Sequence, residues 1–535
     1  MNRANIFAFA GGGLSLAVVW VVVTGAFAAL VLTAAGGEGP SATLSDPYLW
    51  RVVRFTLWQA ALSTILSVGL AVPVARAFAR RRAFAGRRVL LALFALPLAL
   101  PALVVVLGVV EVWGRTGWFN GLAEIAGFQP VLNVYGLTGI LLAHVFFNLP
   151  LATRLLLTHL DRVPAENWRL ASQLDMPAGA VWRFIEWPVL KTALPGAASL
   201  IFMLCVTSFT VVLTLGGGPR ATTIEVAIYQ ALRFDFDPVR AVTLALLQLA
   251  LCGVLVMGAG RIVGDMQAQP SLGKKAVRPD LDGWAGDAVV IGLAGLFVLL
   301  PLVAIVTSAV RSDLARLAGE TALWQAIYTS TWVALSAAAL CLTLTAGLLS
   351  AVRASHRKRA GKPFFEWNTD AAGSLILVMP PIVLGAGWFV LLRGVGDIFT
   401  LAPLVVVVVN ALMALPFVLR VLGPAVAQAN LDHGRLCASL GLAGWNRLRL
   451  VDWPVLQRPL ALSLAFAMAL SIGDLGVIAL FGSEDFTTLP FLLYQRFGTY
   501  RIDDAAGLAL ILTVYCLGLI ALADRVRSER RKVTG

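Results

Sequence analysis

Charge is scarce in this sequence. Only 13% of its 535 residues are charged, about half of what a soluble domain carries, which excludes an ordinary globular enzyme. The five cysteines (Cys205, Cys252, Cys341, Cys437 and Cys516) are odd in number, and none belongs to a CxxC or Cys/His cluster. A disulfide framework or a zinc site is therefore not expected. The four histidines (His144, His159, His356 and His433) are isolated, and no Ser/His/Asp set or carboxylate pair presents itself. Asp235 and Asp237 of FDFD are too few ligands for a hard cation. No GxxxxGK[ST] occurs; GKK at 273–275 and GKP at 361–363 lack the upstream glycine and the hydroxyl residue. The chain is thus expected to bind no cofactor and not to hydrolyse ATP itself.

What fills the sequence is apolar residue: 59% is hydrophobic and the mean hydropathy is +0.84. Runs of about 20 such residues span a bilayer. They fall near 14–35, 55–79, 89–110, 137–160, 194–215 and 241–261, then near 287–310, 328–352, 372–393, 402–423, 459–481 and 506–523. The run at 14–35 is longer than the apolar core of a cleaved leader and is read as a span that stays. A polar linker at 265–285 separates a first half, 1–264, from a second, 286–535. The expectation is an all-α polytopic membrane protein of about twelve transmembrane helices in two six-helix halves.

The net charge of +13 has a topological explanation that needs no nucleic acid. Six arginines crowd 76–88, five basic residues lie at 353–362 and five more at 525–532. Placing these runs inside obeys the positive-inside rule and puts both termini in the cytoplasm.

The halves repeat each other. LW-x7-W recurs at offset 274 (Leu49, Trp50, Trp58; Leu323, Trp324, Trp332), and a proline-broken span recurs at 279 (LPALVVVLG, MPPIVLGAG). HVFFNLPLATRLL and NALMALPFVLRVL align at offset 266, TTIEVAIYQ and TTLPFLLYQ at 265. Six spans per half is an even number, so the repeat is parallel, and a pathway between the halves is expected.

The polar loop after the fourth span of each half is the most informative segment: RLASQLDMPAGAVWRFIEWP (169–188) and RLCASLGLAGWNRLRLVDWP (435–454). Leu170 and Leu174, like Leu436 and Leu440, stand at i, i+4 and share a helical face. Asp175 and Gly441 fill a position suited to the left-handed conformation that ends a helix. Arg183 with Glu186, and Arg447 and Arg449 with Asp452, are expected to wet one side of a second helix, which Pro188 and Pro454 are expected to stop. The pattern predicts helix, tight turn and helix at the cytoplasmic surface. Its recurrence favours a docking element for a repeated partner over an amphipathic helix lying on lipid.

These loops resemble the EAA motif of ABC importer permeases, roughly EAA-x3-G-x9-I-x-LP. Ala171 matches the third residue, Asp175 stands for the glycine, Ile185 for the isoleucine and Trp187-Pro188 for LP. The second copy supplies Cys437, Gly441, Val451 and Trp453-Pro454, while Arg169 and Arg435 replace the glutamate. Longer segments, YLWRVVRFTLWQA, YGLTGILLAHVFFNLPLATRLLL, LIFMLCVTSFTVVLTLGGGPRATTIEVAIYQAL and SIGDLGVIALFG, make nearly the whole chain similar to the thiamine permeases of this class. The resemblance implies the type I importer fold in a bacterial inner membrane. It further implies two copies of an ATPase subunit docked on the two loops, and thiamine or its phosphates, including the pyrophosphate, delivered by a periplasmic binding protein. A ferric-iron permease of the same fused layout is the alternative.

Asp474 lies in the eleventh span, with Ser208 as its repeat partner, and Glu111 lies near the outer end of the third. An unpaired carboxylate there is costly. Asp474 either faces the pathway of a cationic substrate or caps a broken helix; both readings stand at this point. A secondary transporter would need buried coupling-ion ligands and often inverted repeats, and an embedded enzyme would need convergent catalytic groups. The sequence offers neither.

Overall fold

The computed structural model describes residues 3–36, 45–128, 133–218, 220–262, 278, 280, 283–356, 364–394, 396–442, 444–499 and 501–528. Most of the expected linker lies outside these residues, as do the basic stretches 357–362 and 529–532. Among the described residues every regular element is a helix. Eleven helices are long and apolar enough to cross a membrane, or twelve if the bent pair Phe364–Ile376 and Pro381–Arg393 is one span. The all-α polytopic architecture read from hydropathy is therefore observed.

The proline-broken spans read from LPALVVVLG and MPPIVLGAG are observed. The expected run 89–110 is not one helix but Arg87–Leu93, a 3-10 turn Leu96–Ala99 and Ala102–Trp113. The stretch that qualifies as a span there is Ala102–Ile125. Pro97 and Pro101 each remove a donor and restrict the residue before them. Pro101 is extended (φ −57°, ψ 139°), so the helix restarts at Ala102. Pro380, at offset 279, repeats the device with φ −62°, ψ 143° before Pro381–Arg393, and there the chain bends by 92°.

Two other expected spans are interrupted. Helix Trp187–Val206 ends before Ser208, and Phe209–Leu215 resumes after it. In the second half Trp453–Gly473 ends at Asp474, and Gly476–Phe481 resumes. The breaks coincide under the 266 offset.

The chain forms two compact units that exchange the leading helix of each sequence half. One comprises 1–46, 227–249 and 312–535; here Arg3–Gly36 packs along Thr321–His356 and Pro381–Arg393. The crossing uses small residues, as helices in lipid do. A Cβ added to Gly12 would lie 2.3 Å from the Cβ of Ala351, and Trp388 Nε1 donates to the Val22 carbonyl at 3.1 Å. The other unit comprises 47–226 and 250–311, and Trp284–Arg311 packs there against Ala102–Trp113. A Cβ on Gly108 would approach the Pro301 carbonyl oxygen to 2.7 Å.

Each unit closes the same internal bond. The backbone N–H of Ile224 donates to Thr56 Oγ1 at 3.1 Å, and that of Leu489 donates to Ser330 Oγ at 2.7 Å. Thr56 and Ser330 are related by offset 274, and Ile224 and Leu489 by 265.

Candidate functional site

The first polar loop begins after Leu160, where Pro164 prevents the fourth span from continuing. Helix Ala165–Gln173 follows. In the second half the counterpart of Pro164 is Asn430, nothing breaks the chain, and one helix runs Ile398–Ser439 into the loop. Both first helices then end alike. Asp175 and Gly441 take left-handed φ values of 46° and 65°. The N–H of Met176 donates to the Ala171 carbonyl at 3.0 Å, and that of Leu442 to the Cys437 carbonyl at 2.9 Å. These are the 6→1 bonds of the Schellman turn, and they explain the shared spacing of Ala171 and Asp175 with Cys437 and Gly441.

The second helix departs from expectation: Pro188 and Pro454 do not stop it. A π turn, Trp182–Glu186 or Leu448–Asp452, joins Ala178–Val181 or Gly444–Arg447 to the span that follows. The Trp187 N–H donates to the Trp182 carbonyl, and that of Trp453 to Leu448. Each proline then stands in the first turn of the next helical segment, where a missing N–H breaks no bond. The loop helix and the span behind it are therefore one continuous rod, Ala178–Val206 and Gly444–Gly473.

The inner face of the first loop is a small apolar core of Val163, Trp168, Ala171, Val181 and Ile185. Leu170 and Leu174 point away from it and are 56% and 64% exposed; Leu436 and Leu440 are 58% and 63% exposed. Arg169, Asp175, Pro188, Arg435, Gly441 and Pro454 are exposed, Cys437 is buried and Val451 half-buried. Beside the π turn a hollow of about 450 Å³ opens between Gly179, Trp182, Arg183 and Trp187. Each loop therefore presents an apolar face that nothing in the chain's described residues covers.

Of the residues expected to wet the second helix, Arg183 and Arg449 are exposed, but Glu186, Arg447 and Asp452 are buried, and a buried carboxylate braces each loop. Glu186 is fully buried and accepts from Arg76 Nε at 2.6 Å, and the Arg76 guanidinium also lies 4.9 Å from the Trp182 ring centre. Asp452 accepts from Arg353 at 2.9 Å. Both arginines come from the C-terminal end of a second-span helix, Pro47–Arg80 or Thr321–His356. Glu186 is also bonded to Arg278. Burial works against the charge of Asp280, but the guanidiniums of Arg278 and Arg80 outweigh it and hold this carboxyl below its ordinary range. Arg81 pairs with Asp287 at 2.7 Å in the same cluster.

Of the remaining sequence candidates, Glu111 lies within the span Ala102–Ile125, and Ser208 and Asp474 lie just past the ends of Ala178–Val206 and Gly444–Gly473. Ser208 is hydrogen-bonded to His144 Nε2 at 2.8 Å, and His144 Nδ1 to Ser63 at 2.9 Å. Asp474 accepts from the N–H groups of Gly476 (3.1 Å) and Val477 (3.3 Å), so it caps the resumed helix. Glu111 accepts from Ser308 at 2.7 Å. Sequence reasoning missed Arg76, Arg353, Arg278 and Asp280. The first two were hidden in basic runs that topology already explains, and the last two in a segment without periodicity.

No family model matches the chain. Among curated proteins it is 51% identical over 524 residues to the thiamine transport system permease protein ThiP of Brucella abortus, covering 97% of this chain and 96% of that one. It is 46% identical over 507 residues to ThiP of Escherichia coli K12 (92% and 91%). With ThiP of Haemophilus influenzae it shares 38% identity over 531 residues (97% and 96%). End-to-end similarity at this level, on a helical scaffold with two matched loops, means that the chain belongs to the thiamine transport system permease family, the ThiP proteins.

Proposed function

We propose that this chain is the permease subunit of an ATP-driven importer of thiamine and its phosphates in the bacterial inner membrane, with both termini cytoplasmic. The observation that carries the reading is the pair of loops, each with the same left-handed turn, the same π turn and an uncovered apolar face. Two copies of an ATPase subunit, which bind ATP and Mg, take these faces. The permease itself catalyses no reaction.

The geometry accounts for coupling in mechanical terms. A helix continuous from loop to span transmits a displacement of the loop without loss at a joint. The Arg76–Glu186 and Arg353–Asp452 pairs carry the same displacement to the second span of each half. On the outer side, a periplasmic binding protein delivers the substrate. Thiamine carries a fixed positive charge, so Asp474, next to a helix break in a span, is its candidate counter-ion; Ser208 and Glu111 are secondary candidates for the pathway. Glycine-containing breaks and capping carboxylates at span interruptions are apt places for such sites.

Reconstitution of the chain with its ATPase and binding protein in liposomes tests the proposal. Labelled thiamine enters only with ATP on the ATPase side. Uptake of ferric iron without thiamine would overturn the substrate, and ATP-independent uptake would overturn the mechanism.

A further inference from the structure

Two guanidiniums reach the buried carboxylate of each loop, yet they come from positions that do not correspond. Glu186 is bonded by Arg76 and Arg278. Asp452 is bonded by Arg353 at 2.9 Å and paired with Arg447 at 3.5 Å. Arg447 sits inside the second loop itself; its counterpart at offset 266 is Val181, an apolar core residue. Arg278 instead belongs to the segment between the halves, about ninety residues along the chain from the carboxylate it meets.

The surroundings have changed to match. Arg278 lies over Trp168, its guanidinium carbon 4.1 Å from the ring centre, and holds Asp280 through two 2.9 Å bonds. The counterpart of Trp168 is Gly434, which offers no ring. Arg447 donates instead to Asn430 at 3.1 Å, and the counterpart of Asn430 is Pro164, which has no side-chain acceptor. Three positions thus differ together, and the two differing arginines end on the same carboxylate.

We infer that Arg278 is a positioning residue for the first loop, supplied by the inter-half segment, and does for Glu186 what Arg447 does for Asp452 from within the second loop. The inference rests on the coupling role proposed for these loops. The physical reason is that a buried carboxylate on a moving element needs its charge compensated. An arginine stacked on an aromatic face and held bidentate by a second carboxylate is oriented before the pair forms. The segment that joins the halves is thereby tied to the first loop as well as being a tether.

Hydrogen exchange on the full chain in detergent, with uptake and ATP hydrolysis in liposomes, tests this. Arg278→Gln is expected to raise amide exchange in 165–188 roughly tenfold and to leave 435–454 unchanged, since stability is local to each element. Arg447→Gln is expected to do the reverse. Arg278→Lys, which keeps the charge but loses the bidentate fork and the stacking on Trp168, restores only part of the protection, and thiamine taken up per ATP hydrolysed follows the same order. Unchanged exchange in 165–188, an equal rise in both loops, or no recovery with lysine would overturn the inference. Absence of ATP-dependent uptake in the unmodified chain would instead overturn the importer reading and leave the exchange result to judge Arg278.

Discussion

Arg353 reaches Asp452 at 2.9 Å from three residues beyond the position that corresponds to Arg76 under the 274 offset of the second span. Residues at i and i+3 share a helical face, so an arginine one turn further along delivers its guanidinium to the equivalent carboxylate. Arg353→Gln leaves Asp452 buried with less compensation. We expect a loss of about 1–3 kcal/mol, below the cost of breaking a fully buried pair because Arg353 remains partly solvated. Thermal unfolding in detergent measures it, and Arg76→Gln is expected to act in the same direction.

The uncovered leucines separate docking from folding. Leu170→Asp and Leu436→Asp change exposed positions, so stability is expected to stay within about 0.5 kcal/mol. Co-purification of the ATPase subunit and ATP-dependent uptake are expected to fall at least about tenfold with either variant, as loss of a central apolar anchor does at an interface. Wild-type co-purification with both variants would remove these faces from the docking surface.

Asp474 caps the resumed helix, and substitution distinguishes this from the counter-ion role proposed for it. Asparagine retains a side-chain oxygen able to accept from Gly476 and Val477, whereas alanine does not. Asp474→Ala is expected to cost about 1 kcal/mol through the lost cap, and Asp474→Asn much less. If the charge serves a cationic substrate, both variants reduce thiamine uptake while membrane insertion is unaffected. Normal uptake kinetics with Asp474→Asn would leave the residue with its capping role alone.

Glu225 supplies a pH dependence. It opens helix Ile224–Arg233, which is not among the membrane-crossing stretches, and both carboxyl oxygens are buried without a hydrogen-bond partner. Burial pushes its pKa from 4.5 up to about 8. A raised carboxyl pKa means that the folded state binds the proton more tightly than the unfolded state. Its share of stability is complete below pH 4.5 and lost as pH rises through about 8. Glu225→Gln is expected to flatten the fall in melting temperature between about pH 5 and about pH 9. An unchanged pH profile would count against a buried neutral carboxyl.

Much of this molecule is legible in one dimension. A bilayer demands long apolar helices with satisfied backbones, so hydropathy alone counted the spans, and the self-similarity of 144–156 with 410–422 exposed the repeat. The paired loops were equally readable, because the left-handed turn at Asp175 and Gly441 and the i, i+4 leucines depend on local spacing. The expected stops at Pro188 and Pro454 failed for a local reason of another kind: a π turn changes which N–H groups are needed, and no residue type announces it. The proline break in 89–110 was readable from LPALVVVLG, but the breaks at Ser208 and Asp474 were not fixed by the apolar runs around them, because apolar content measures solubility in lipid and not helical continuity.

What a chain dissolves in, how many times it crosses and which segments recur are set by composition and near-neighbour spacing, and the sequence by itself determined them here. Which arginine serves which carboxylate was decided only by the tertiary structure. Arg76, Arg278, Arg353 and Arg447 are alike as letters, and Glu186 meets a partner 92 residues away because helix packing and a buried Trp168 place it there. Long-range pairing depends on distances that no local pattern encodes. The same holds for the exchange of leading helices, in which Gly12 and Gly347 let Arg3–Gly36 lie against the second half.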